Sequence, residues 1–151
     1  MTDELFQPGT PEGVLNEQAT VLMAGGPLSN KRGHALLTNE RILFMDQRFN
    51  PEMAGAVGGW LAGKVAEELE KHRKARPPMV DFPLTDITRV SLVKKMTVRD
   101  ILVIETAAGE TRFANGYKEW SPLLRRALTE RHGRTVTDDG ADAWRVAGPG
   151  S

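Results

Sequence analysis

The side chains in this chain that could do chemistry are few and scattered. Three histidines stand at His34, His72 and His132. None has a second ligand at the spacing by which a helix or hairpin shares a metal ion. "EKHRK", around His72, lacks the second histidine of a His-Glu-x-x-His helix face. "GGPLSNKRG", 25–33, does not end in the Gly-Lys-Ser/Thr of a phosphate loop. "TDDGAD", 137–142, is too short for a calcium loop and has no terminal glutamate. No serine sits in a nucleophile-elbow motif, and nothing in the spacing sets a base beside a nucleophile. The chain therefore reads as a non-enzymatic binding module, with no catalytic residue, metal or cofactor expected.

What remains is charge and apolar surface. Lys31 and Arg32 are adjacent cations that follow a Gly-Gly-Pro turn. Each cation near an anionic membrane contributes about 1 kcal/mol, too little to anchor alone. An ordinary solvated loop accounts for the pair as well. Lys94, Lys95 and Arg99 form a second small group that reads as solvated. Across the chain 20 Lys and Arg balance 20 Asp and Glu, so no bulk field draws in a nucleic acid, and none is expected as partner. There is no cysteine, which excludes disulfides and thiolate metal sites. "MTDELFQPGTPEG" lacks the basic-then-apolar run of a leader, and no apolar run approaches the ~20 residues that span a bilayer. The expectation is a cytoplasmic protein, with peripheral contact at the inner face of the membrane if it binds lipid.

The segment "NPEMAGAVGGWLAGKVAEELEKHRKARPP", 50–78, differs from its surroundings. Asn50 suits an N-cap, Pro51 the first helical position, and Arg76-Pro77-Pro78 a stop. Met53, Val57, Trp60, Leu61, Val65 and Leu69 recur every three or four residues, which makes one apolar stripe. Gly55, Gly59 and Gly63 form a smooth ridge beside it, although each interior glycine costs about 0.8–1.0 kcal/mol against alanine. Three readings stay open for this helix. It packs on its own sheet; or Trp60 and Leu61 enter a membrane with Lys64 adding charge; or the glycine ridge meets a protein partner or a second copy, giving a homo-oligomer without lipid. Glu67, Glu68 and Glu70 weaken the membrane reading.

The elements around it are short. Strands are expected at 18–24, 34–38, 41–46, 79–84, 88–93, 101–106 and 111–115, from β-branched and apolar runs between turn signals. The tightest pair is joined at Asn39 and Glu40, where asparagine tolerates the positive φ of a hairpin turn. Gly109 marks a second hairpin. A closing helix is expected with Ser121 as cap, Pro122 first, an apolar face of Leu123, Leu124, Ala127 and Leu128, and Gly133 at its end. Residues 1–16 read as a flexible lead-in and 134–151 as a flexible tail. Whether Trp144 folds back or waits for a partner stays open.

"GHALLTNERILF", Gly33 to Phe44, resembles the core motif of GRAM domains. "FPLTDITRV", 82–90, is similar to their following segment, and "ETAAGETRFANGYKEW", ending at Trp120, to their last hairpin. The likeness runs in order from about Glu17 to His132 and suggests a stand-alone bacterial type. It implies a mainly β, pleckstrin-homology-like fold over 17–133: a seven-stranded bent β-roll, open at one end and plugged at the other by the C-terminal helix. Trp120, Leu124 and Leu128 would form that plug. The 51–76 helix would be an insertion between the third and fourth strands. The resemblance further implies that the loop carrying Lys31 and Arg32 lies at the open end, where it supplies cations to a lipid headgroup. Membrane docking is the function this implies, with protein interaction through the inserted helix as the competing one.

Overall fold

The computed structural model describes residues 2–23, 30–46, 79–94 and 100–147. The helix expected at 51–76, and with it Gly55, Val57, Gly59, Trp60, Leu61, Gly63 and Lys64, lies outside the described residues. The fold is mainly β. Nine strands form one antiparallel sheet: β1 (Val14–Leu22), β2 (Lys31–Thr38), β3 (Arg41–Asp46), β4 (Val80–Pro83), β5 (Ile87–Val93), β6 (Ile101–Thr106), β7 (Gly109–Phe113), β8 (Thr135–Asp138) and β9 (Ala143–Ala147). Their order is β4-β3-β2-β1-β7-β6-β5-β9-β8, so among the described residues β4 and β8 are the outermost strands and do not pair with each other. Among the described residues one register pair, Leu22 to Phe113, joins the β1 half to the β7 half, flanked by hydrogen bonds from the Met23 N–H to the Arg112 carbonyl and from the Ala114 N–H to the Val21 carbonyl, both 2.9 Å.

All seven expected strands are present, though β1 begins at Val14 and β2 at Lys31. Two more come from the stretch expected to be a flexible tail. The reason is long-range: β9 pairs with β5, and Trp144 buries its ring in the core. Its indole N–H donates to the Ser121 hydroxyl at 2.9 Å. The lead-in is likewise built into the fold. A 3-10 turn at Thr2–Phe6 puts Phe6 in the core, with the Arg126 guanidinium 4.1 Å above its ring.

The helix α1 (Tyr117–Arg126) starts earlier than the sequence suggests and runs on through a π-type turn, Ala127–Arg131. Gly116, at φ 109°, is its N-cap, and the Trp120 N–H donates to the Gly116 carbonyl at 2.8 Å. A side chain at 116 would need that unfavourable φ and would also collide with Gln18. Ser121 and Pro122 thus lie inside the helix, where exposed Pro122 removes one ladder bond on the solvent side. Gly133 closes the element in the left-handed region, φ 65°, and the Arg134 N–H reaches the Leu128 carbonyl at 2.8 Å.

The core lies between the two halves of the sheet and α1. Phe44, Phe113 and Trp120 form a chain of rings at 5.9 Å centroid spacings, and Leu124 and Leu128 pack beside them, all fully buried. Strand alternation sends Leu37 and Ile42 into this core. Their neighbours Leu36 and Leu43 therefore point to the opposite face, yet both are 0% exposed. β2 and β3 have little solvent face along these residues, which is why both read as continuous apolar runs.

Candidate functional site

The β2–β3 reversal is held by side chains, and its asparagine does not take a positive φ; among the described residues only glycines do. The Thr38 hydroxyl accepts the N–H groups of Glu40 and Arg41 at 3.0 and 2.9 Å, and donates to Glu12 Oε2 at 2.7 Å. Arg41 grips Glu12 bidentately, at 2.9 and 3.0 Å, on a carboxylate only 6% exposed. Asn39 Oδ1 accepts the Gly13 N–H at 3.0 Å, and its Nδ2 donates to the carbonyls of Leu5 and Pro11. From the π-type turn after α1, Arg131 donates to Glu40 and to the carbonyls of Gln7 and Thr10 at 2.6–2.7 Å. His132 Nε2 donates to the Asn39 carbonyl at 2.9 Å. Thr38, Asn39, Glu40 and Arg41 are thus a latch that holds the N-terminal segment and the end of the π-type turn after α1. Their hydrogen-bonding groups are directed inward.

Surface chemistry appears one strand-length away. Lys31 and Arg32, expected on a loop, open β2 instead, and both are exposed. Adjacent strand residues face opposite ways, so the two cations do not act as a pair. Arg32 lies across from Val21, and His34 across from Ala19, on the face opposite the core. These residues, with Thr20 and Gly33, line a shallow groove of about 330 Å³. Its floor is apolar through Ala19 and Val21, and its polar side chains include a guanidinium and an imidazole. His34 Nδ1 stands 3.6 Å from Glu17 Oε2, further along the same face. Lys31 pairs with Leu22 in register and belongs to the other face. Neither the alternation nor the register that brings Arg32 to His34 can be read from a basic pair judged to be a loop.

A second polar cluster joins β1 to the start of α1. The Thr20 hydroxyl bonds Asn115 Oδ1, Gln18 donates to the Asn115 carbonyl, and the Gly116 N–H donates to Asp100 Oδ2 at 3.1 Å. These contacts fix the loop before the helix. Among the described residues no three His, Cys, Asp or Glu side chains converge as metal ligands. A surface network forms the third. Arg89 bonds Asp139 at 2.9 Å and Glu105 at 3.0 Å, and Arg145 bonds Asp139 at 2.8 Å, tying the β8–β9 turn to β5 and β6. The Arg89 hydrogen bond holds the Asp139 carboxyl below its ordinary range, and Asp139 raises Arg89 in return. Exposed Lys94 ends the described part of its loop, and Lys95 and Arg99 lie outside the described residues.

No helix among the described residues is long and apolar enough to cross a membrane. No family model and no curated protein matches this chain. Among solved structures it is similar to the crystal structure of the C-terminal domain of an unknown protein from Leishmania infantum. That likeness has 11% identity and a TM-score of 0.48, and covers 78% of this chain and 85% of that one.

Proposed function

We propose that this protein is a non-catalytic binding module that docks on an anionic membrane surface through the β1–β2 groove. The observation that carries the reading is Arg32, exposed at the rim of an apolar-floored groove. An exposed guanidinium beside Ala19 and Val21 is suited to a lipid phosphate on one side and glycerol or acyl carbon on the other. Lys31 adds charge at the same strand end from the opposite face. We also propose a pleckstrin-homology-like roll of the GRAM type. It is supported by the order β4-β3-β2-β1-β7-β6-β5, by a helix directly after β7, and by the likeness of Gly33–Phe44 to the GRAM motif. The pair β8–β9 would be an addition to that plan.

Co-sedimentation with vesicles tests the function. Binding is expected to rise with anionic lipid content and fall with salt, because the contributing charges are solvent-exposed and screened. Arg32→Glu is expected to weaken it by about tenfold or more. Binding indifferent to lipid charge, salt and this reversal would end the reading.

A further inference from the structure

We infer that the face of β2 and β3 opposite the core is the seat of the Met53–Leu69 apolar stripe, so that Trp60 and Leu61 meet this chain's own sheet. Four residues stand in one cross-strand row on that face: Glu17 of β1, Leu36 of β2, Leu43 of β3 and Asp81 of β4. The two outer carboxylate residues are exposed, whereas the two leucines between them are 0% exposed. Met45, one row along on the same face, is 5% exposed. Flanking side chains that stay in solvent do not seal two central leucines from it, so something broader lies across them. The sealed width is about two strand spacings, or ~10 Å, the breadth of one helix with its side chains. This burial exists within a single chain, so the cover is part of the same polypeptide.

Elimination names the occupant. Apart from each other, β2 and β3 make their extensive contacts with β1 and β4, their neighbours in the sheet. The N-terminal segment reaches the adjacent Thr38–Arg41 row through Glu12, but its Phe6 enters the core and its Leu5 lies against Gly13. Of the stretches outside the described residues, 24–29 carries one large apolar side chain, Leu28, and 148–151 carries none. Residues 95–99 connect β5 to β6, in the other half of the sheet. That leaves 47–78, which follows β3 and rejoins at Met79, whose N–H donates to the Phe44 carbonyl at 2.8 Å. Both of its ends are therefore fixed at the strand end that carries Met45. Its stripe has the spacing of one helix face, and Lys64 stands one turn from Trp60 and Leu61, matching the carboxylates that flank the seat. Seated there, Trp60 and Leu61 are withdrawn from lipid and from a second copy alike, and membrane docking falls to the β1–β2 groove.

The chain has no cysteine, so introduced ones report the seat directly. In the full chain without lipid, Leu43→Cys is expected to react with a soluble thiol reagent about a hundredfold or more slowly than Asp81→Cys, its exposed row neighbour. Trp60→Glu combined with Leu61→Glu should remove most of that protection, while Leu37→Cys on the core side stays slow in the same background. A flexible bis-maleimide should join Leu43→Cys to Leu61→Cys within one chain, and not to Ala66→Cys on the far side of the expected helix. This second arm does not require the glutamate variant to fold. Fast labelling of Leu43→Cys alone, protection that survives both glutamates, or cross-linking to Ala66→Cys rather than Leu61→Cys would overturn the inference. Protection that is lost on dilution, or that appears only with vesicles, would give the face to a second copy or to lipid and overturn it as well. Vesicle binding through Arg32 enters none of these readouts, so the docking proposal stands or falls separately.

Discussion

Asn39 acts through its side-chain amide. One side chain satisfies the buried Gly13 N–H and two carbonyls of the N-terminal segment, while its own N–H and C=O reach Gly13 and His132. Removing the amide strands these groups away from water, at about 1–3 kcal/mol. Asn39→Ala should lower the denaturation free energy by about that amount in urea titrations. Asn39→Gly separates the two explanations of the turn. Glycine would be neutral or stabilising if the position required a positive φ, but it should be as damaging as alanine because the amide is lost. The sequence made this residue conspicuous and suggested the wrong reason for it. Turn chemistry is local, whereas the partners at Leu5, Pro11 and His132 are 28 to 93 positions away or hidden in a lead-in with no pattern of its own.

At the scale of elements, hairpins joined by short turns were legible because alternation and turn residues are both local signals. β8 and β9 were not. "TVTDDGADAWRVAG" is polar, and its place in the sheet depends on Arg89 and on Ser121, which receives the Trp144 N–H. Basic residues read as a loop also hid the groove, since only the β1–β2 register sets Arg32 and His34 against Val21 and Ala19. The doubly buried β2–β3 pair has a measurable consequence. On an exposed sheet face, trimming a leucine to alanine costs little. Leu43→Ala should instead cost about 2–5 kcal/mol, as much as Leu37→Ala from the core side. Chemical denaturation of the two variants side by side checks it.

For the whole molecule, acid should loosen the C-terminal pair of strands first. Asp139 has its folded carboxyl held down by Arg89, so it adds stability above its unfolded range and loses that contribution as pH falls through the depressed folded value. Arg89 is shifted upward and stays charged throughout, so the sign belongs to Asp139 alone. Trp144 fluorescence followed from neutral to strongly acid pH should report this step, and Asp139→Asn should remove it, starting from a weaker attachment. The latch has a different reach in time. Arg131 meets the Gln7 carbonyl across 124 positions, and β1 meets β7 across a comparable gap. Contacts so distant along the chain close slowly. Arg131 must therefore leave the ribosome before the segment around Gln7 and Thr10 can take its final place, and until the strands of the core have emerged Phe6 has no interior to enter.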